Sequence, residues 1–196
     1  MEYKEDLRIQ KTRRDLRGAI IELIKQKPIE KISVKEICDT ALITRMTFYK
    51  YYEDKYQLLD DTFIEIKDQI LASVPTQDVT STEDATKYTC ELITAVINFI
   101  QKNFDIIQAL KKNSNNEIMA MITNIAEGAI SELLDKASKI RPLRYPIPMT
   151  SSFVFGGFMG TLNYWLEHPS DENFKNVNLL VQDVKNNILK PEFLYL

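Results

Sequence analysis

With 196 residues, five glycines, seven prolines and apolar residues spaced for helices and not for strands, the chain reads as all-α, with one or two small domains. Its net charge of −3 is mild but uneven: residues 1–55 carry 13 Lys and Arg against 10 Asp and Glu, and residues 56–196 carry 12 against 18. Two cysteines make no disulfide framework, the one histidine, His168, sits beside a proline in a loop where no His-based triad or metal cluster is expected, and no stretch approaches 18 uncharged apolar residues.

The first helix is expected over residues 8–27, with Leu16, Ala19, Ile20, Leu23 and Ile24 inward and Pro28 ending the run. Ser33-Val34-Lys35-Glu36 has capping-box spacing and opens a short second helix that ends near Thr40 or Ala41, and Ser33 is also a candidate DNA contact. Thr44 is a good N-cap for a third helix, roughly Arg45 to Tyr51. Glu53-Asp54 starts a fourth, in which Tyr56, Leu59, Phe63 and Ile66 repeat at helical spacing until Pro75.

The polar stretch 75–84 marks the domain boundary, giving an N-terminal domain over 1–54, a connecting helix over 55–74 and a C-terminal helical domain over 75–196. Beyond it, Tyr88, Leu92, Val96 and Phe99 form one stripe and Ile93, Ile97 and Ile100 another, as in a central bundle helix. Ser114 to Glu117 is a second capping box, ahead of a long helix. Pro142, Pro146 and Pro148 mark a connector, and two helices follow, about 150–167 and 171–189, making about nine in all.

The informative stretch is residues 33–59. It encodes a short helix, a tight turn and a second short helix, with Val34, Ile37, Cys38, Ala41, Ile43 and Phe48 spaced for one small core. Thr44, Arg45, Met46, Thr47, Tyr49 and Lys50 are left outward, a set able to meet base edges and phosphates when a helix N-terminus enters a major groove. Lys55 is expected to hold a phosphate together with the free amides of the next helix, and Tyr49 to place its hydroxyl on another. Tyr52 is expected to pack inward. The basic cluster Lys4, Arg8, Lys11, Arg13, Arg14 and Arg17 is placed to reach flanking phosphates or a minor groove. The modestly basic front end agrees with a DNA-contacting module on a larger acidic remainder.

On these residues the chain resembles the TetR family of bacterial transcriptional regulators. The resemblance rests on the Ser33 cap, Ile37, Ala41, Thr44-Arg45, Thr47-Phe48-Tyr49, Tyr52 and Asp54-Lys55, and covers about residues 10–60 well. Thr47-Phe48 with Tyr51-Tyr52 is similar to the subgroup of dihydroxyacetone-kinase regulators. The resemblance implies that Thr44 to Tyr49 lie on the recognition helix, that Lys55 contacts phosphate, and that the protein is a homodimer. One departure stands out: the family usually has glycine where this chain has Leu42, so either the turn keeps Leu42 at negative φ or it is strained, at a cost of about 1 kcal/mol or more for a leucine at positive φ.

The last two helices carry the expected dimer surface. Phe153, Val154, Phe155, Phe158, Met159, Leu162, Trp165 and Leu166 exceed what one face of a monomeric helix needs, and Gly156, Gly157 and Gly160 thin one side. Val177, Leu180, Val181, Val184 and Ile188 belong to the final helix, and pairing with a symmetry mate gives a four-helix interface. Tyr88, Phe99, Phe104, Ile107, Met119, Ile122, Phe155 and Met159 are the candidate lining of an apolar ligand pocket.

No residue pattern supports catalysis or a cofactor, and no membrane partner is implied. The reading is a cytoplasmic homodimeric repressor on a palindromic double-stranded operator, released by an apolar small-molecule inducer. Its rivals are a coactivator or adaptor of the same fold that binds a protein partner, and an enzyme or carrier with a vestigial DNA head.

Overall fold

The structure, a computed structural model, describes residues 7–74, 81–113, 116–187 and 195–196. Among these residues there are nine α-helices and no strand. They are α1 (Leu7–Ile24), α2 (Val34–Ala41), α3 (Arg45–Tyr49), α4 (Lys55–Ser73), α5 (Thr82–Lys102), α6 (Phe104–Asn113), α7 (Asn116–Ser138), α8 (Ile147–Glu167) and α9 (Asp171–Asn187), with a 3-10 turn at Ile29–Lys31. None of the described helices is long and apolar enough to cross a membrane.

The chain forms two compact units. The first runs through Ile66 and takes in Asn103–Ile122; the second holds Lys67–Lys102 and Thr123–Leu196. This division differs from one drawn at residue 75, because α6 returns to the first unit. It packs on α1, and the Asn113 side-chain amide donates to the Ile24 carbonyl at 2.9 Å, satisfying an acceptor left over at the α1 C-terminus.

In the first unit α1 turns its apolar stripe inward as its spacing dictates, burying Leu16, Ala19, Ile20, Leu23 and Ile24. Phe48 and Ile37 are fully buried in the same unit, and Tyr52 packs beside Phe48 with ring centroids 5.8 Å apart. The inward packing expected of Tyr52 carries a further contact, since its hydroxyl donates to Asp61 at 2.6 Å. Arg17 of α1 grips the same carboxylate with Nε at 2.8 Å and Nη2 at 3.1 Å, and gives Nη1 to Glu65 at 2.7 Å. Two parts of the head, α1 and the segment after α3, thus converge on one aspartate of α4.

In the second unit α8 begins at Ile147, earlier than expected, with Pro148 inside its first turn. A proline fits there because amides of a first helical turn have no intrahelical acceptor to lose. At the chain's end Tyr195 pairs in an antiparallel bridge with Leu143 and is buried with Cys90 and Ala137, against Ile93, Val154 and Val184. The capping box expected at Ser114–Glu117 and the interface residue Ile188 lie outside the described residues or side chains.

The Arg17–Asp61–Tyr52 cluster gives the head an acid-sensitive joint. Burial alone would raise the Asp61 pKa, but the hydrogen bonds from Arg17 and Tyr52 outweigh it and hold it below its ordinary value. A depressed folded-state pKa contributes stability above the unfolded value of about 4, lost as pH falls through the folded one. Asp61→Asn is therefore expected to cost about 2 kcal/mol at pH 7 and to flatten the fall in melting temperature below about pH 4. Circular-dichroism melts from pH 7 to pH 2.5 read both effects, and a variant with the wild-type acid limb would refute the assignment.

Candidate nucleic-acid interface

Ser33 caps α2 as its spacing requires. Its Oγ accepts from the Glu36 amide at 3.2 Å, and the Glu36 carboxylate accepts from the Ser33 amide at 2.9 Å. Lys27 donates to the other Glu36 oxygen, and this bond first, with the Ser33 donors after it, lowers the Glu36 pKa to about 2. Ser33 is thus bound into the cap through both its amide and its hydroxyl, instead of being held open for phosphate.

The turn between α2 and α3 is closed by the Ile43 amide on the Cys38 carbonyl at 2.9 Å. Leu42 sits at its corner with φ 56° and ψ 41°, a left-handed residue without the glycine that would adopt it freely. Of the two conformations open to this position the strained one is present, and the side chain is 92% exposed. Cys38 behind the turn is buried, with desolvation raising its thiol pKa.

Thr44 caps α3, its Oγ1 accepting from the Thr47 amide at 3.2 Å and lying 3.0 Å from the Thr47 hydroxyl. Both hydroxyls are therefore partly committed within the helix. Phe48 turns fully inward and meets the Tyr49 ring edge-on at 5.4 Å, while Tyr49 remains exposed. Arg45, Met46 and Lys50 are exposed too, and Thr47 is half-buried. Among the described residues Arg45 makes no hydrogen bond or ion pair, and the Lys50 ammonium lies 5.8 Å over the Tyr51 ring. Six side chains expected to face DNA are thus carried together on one short helix and its ends.

Lys55 is arranged differently from the expected phosphate clamp. Its ammonium donates to the carbonyls of Ile29, Glu30 and Ile32 at 2.8, 3.0 and 2.9 Å, which uses all three protons. The amides at the α4 N-terminus are also taken, since Asp54 Oδ1 accepts from Tyr56 and Gln57 at 2.8 Å each. A carboxylate of the chain itself occupies the place a phosphate would seek. Lys55 ties the 3-10 turn to α4.

The N-terminal basic cluster also divides. Arg14 is three-quarters exposed, with only a loose approach to Asp15 at 3.6 Å. Arg17 is committed to Asp61 and Glu65. Arg8 and Lys11 are exposed, Arg13 is half-buried, and Lys4 lies outside the described residues.

Of the expected interface residues on the last helices, Phe153, Gly157 and Leu180 are exposed, and Phe158, Val181 and Val184 are half-buried. Leu162, Trp165 and Val177 instead belong to the core of their own unit, where Trp165 lies 5.2 Å from Phe174. The exposed stripe of α8 reads Met149, Phe153, Gly157, Gly160 and Tyr164, and Leu179 joins Leu180 on α9. A Cβ added at Gly156, Gly157 or Gly160 meets nothing within 4 Å. The pocket set splits: Phe104 and Ile107 belong to the first unit, Tyr88, Phe99, Phe155 and Met159 to the second, and the side chains of Met119 and Ile122 lie outside the described ones. No group of three His, Cys, Asp or Glu able to hold a metal occurs among the described residues.

An all-helical chain with a helix-turn-helix head and a second helical unit has an architecture in which the head is the motif used for DNA binding. Residues 16–62 match a family model described as bacterial regulatory proteins, tetR family, and residues 88–187 match one described as a transcriptional regulator C-terminal region. The chain belongs to the TetR family of bacterial transcriptional regulators, whose members are regulators and not enzymes. It is 34% identical over 53 residues to the uncharacterized HTH-type regulator YxbF of Bacillus subtilis, a match spanning 27% of this chain and 14% of that relative.

Among solved structures it resembles NalD of Pseudomonas aeruginosa, described as the secondary repressor of the MexAB-OprM multidrug efflux pump. The TM-score is 0.62 and the identity 17%, over 95% of this chain and 98% of that one. It also resembles the dihydroxyacetone kinase operon activator DhaS, with a TM-score of 0.56 and 15% identity over 89% and 96% of the two chains. At these identities the likeness is one of fold, and it does not single out the dihydroxyacetone-kinase subgroup.

Two substitutions separate strain at the turn from support beneath it. Leu42→Gly removes the left-handed strain and is expected to stabilise the protein by about 1 kcal/mol. Lys55→Ala removes the ammonium from three carbonyls, of which only Ile29 keeps a second donor among the described residues, the Ile32 amide, and is expected to cost about 2 kcal/mol. Urea unfolding measures both; a neutral Lys55→Ala would return Lys55 to the DNA surface.

Proposed function

We propose that the protein is a repressor that binds a palindromic operator as a homodimer and is released by an apolar small-molecule inducer. The observation that carries the DNA part is the α3 surface. Arg45, Met46, Tyr49 and Lys50 are exposed together on a helix whose Phe48 is fully buried, so the presenting face is rigid while its cations remain available. Two such helices in a twofold dimer would enter successive major grooves and read a palindrome.

The dimer reading is supported by the exposed α8 stripe, in which Phe153 is 62% exposed beside glycines whose missing side chains leave open space. Apolar surface of this kind on helices ending a helical unit suits an isologous four-helix contact. Inducer release would then work by changing the spacing of the two heads. Repression is preferred to activation on NalD's printed role, while DhaS keeps the opposite sign in view.

Duplexes selected from a random library provide the test. Arg45→Ala is expected to weaken binding of the selected site by about 1–3 kcal/mol, and Tyr49→Phe by about 1 kcal/mol, with unchanged folding. Arg14, Arg45 and Lys50 of two heads imply a slope of log affinity on log salt of about −5. Flat salt dependence in fluorescence anisotropy would sink the docking reading. Separately, Phe153→Lys is expected to convert a dimer into a monomer in sedimentation velocity, and a wild-type monomer at micromolar concentration would overturn the dimer.

A further inference from the structure

Resting on the DNA-binding reading, we infer that Leu42 and Met46 are specificity-determining residues that read thymine, packing against the 5-methyl groups of thymines in the operator's major groove. Leu42 is the only non-glycine residue at positive φ among the described residues. It is 92% exposed, so its strained backbone is not offset by burial of its side chain in the folded chain. A residue held in an unfavourable conformation with its apolar side chain in water makes sense when another surface covers it. Met46, four residues on, is 85% exposed and adds a second, flexible apolar group to the same end of the helix-turn-helix.

The surroundings choose the surface. From Leu42 to Tyr52 the chain carries Arg45 and Lys50 and no acidic residue, a local charge that suits a polyanion. Within a major groove the edges of adenine, guanine and cytosine are polar, and only thymine presents an apolar group, its C5-methyl. Thr44 and Thr47, which would otherwise compete for base edges, have hydroxyls 3.0 Å apart, and Thr44 also caps the helix. Polar readout is therefore left mainly to Arg45, and apolar readout to Leu42 and Met46. The two kinds of contact are complementary: a guanidinium pairs with guanine, and aliphatic groups distinguish thymine from cytosine.

The test uses the full-length protein and duplexes it selects from a random library, resynthesised with single thymines replaced by deoxyuridine, which lacks only the methyl. At one or two thymines per half-site the replacement is expected to weaken wild-type binding about 4-fold, the value of one buried methyl. Leu42→Gly and Met46→Ala should each erase the penalty at its own position, binding thymine and uracil equally there, while penalties elsewhere persist. Melting curves establish that both variants are folded. Selected sites whose affinity is indifferent to every thymine-to-uracil change would overturn the inference, as would variants that keep the full wild-type pattern of penalties. If no duplex is enriched over the starting library, the DNA-binding reading itself falls, and this inference with it.

Discussion

Arg17 meets the Asp61 carboxylate through Nε and Nη2 and reaches Glu65 through Nη1, while the Tyr52 hydroxyl closes on the same aspartate. The orientation of α3 depends on this joint. α3 has only five residues, too short to be stable alone, so its orientation is set by the residues packed beneath it and just past its C-terminus. Phe48 anchors it from below, and Tyr52, just past its end, is pinned by Asp61 to α4. The planar guanidinium fork suits this task, since two parallel hydrogen bonds fix direction as well as distance. The partly buried setting limits solvent screening and makes the geometry count for more than an exposed pair would.

Lys55 completes the same scaffold from the other side. By binding three carbonyls of the 3-10 turn it satisfies acceptors for which that short turn offers few intrahelical donors, and it holds the chain entering α2 against the chain entering α4. Asp54 does the equivalent work for the amides of α4. Both groups that an anion would have sought are spent on the fold itself. The head's positive field is therefore carried by fewer groups than the composition suggests.

What could be read from the residues was what is local. The Ser33–Glu36 box, the Thr44 cap and the inward turn of Phe48 all follow from spacings of three or four residues and appear as expected. At Leu42 the residues left two conformations open, and a single backbone angle decides between them. The partners of Lys55 lie 23 to 26 residues back and those of Arg17 lie 44 and 48 ahead, so no spacing rule connects them. A lysine at a helix start then looks the same whether it faces a phosphate or a row of carbonyls. On α8 the difficulty was different. The helix is apolar around most of its circumference, so composition could not say that Leu162 and Trp165 face their own core while Phe153 and Tyr164 face out. Tyr195, next to the end of the chain, carried no periodic signal at all, yet it is buried through a bridge to Leu143.

Fewer free cations change what kind of reader the head can be. Affinity for DNA in general rises with the number of phosphates neutralised, and a protein with many lysines in reach binds every sequence strongly. Here Arg17 and Lys55 are withdrawn, Thr44 and Thr47 partly satisfy each other, and the exposed remainder on α3 and its turn mixes two cations with a phenol, a thioether and a leucine. On the proposed DNA-binding role, such a surface would gain less from any phosphate and relatively more from a correct base sequence, because its apolar members gain little from the charged backbone. A strained leucine at the tip is consistent with that balance: its cost is local and fixed, whereas its return depends on what it meets. The same internal hydrogen bonds that remove cations from the surface also fix the backbone of α3, and on the proposed DNA-binding role a presenting helix held in place is what would let small contacts discriminate.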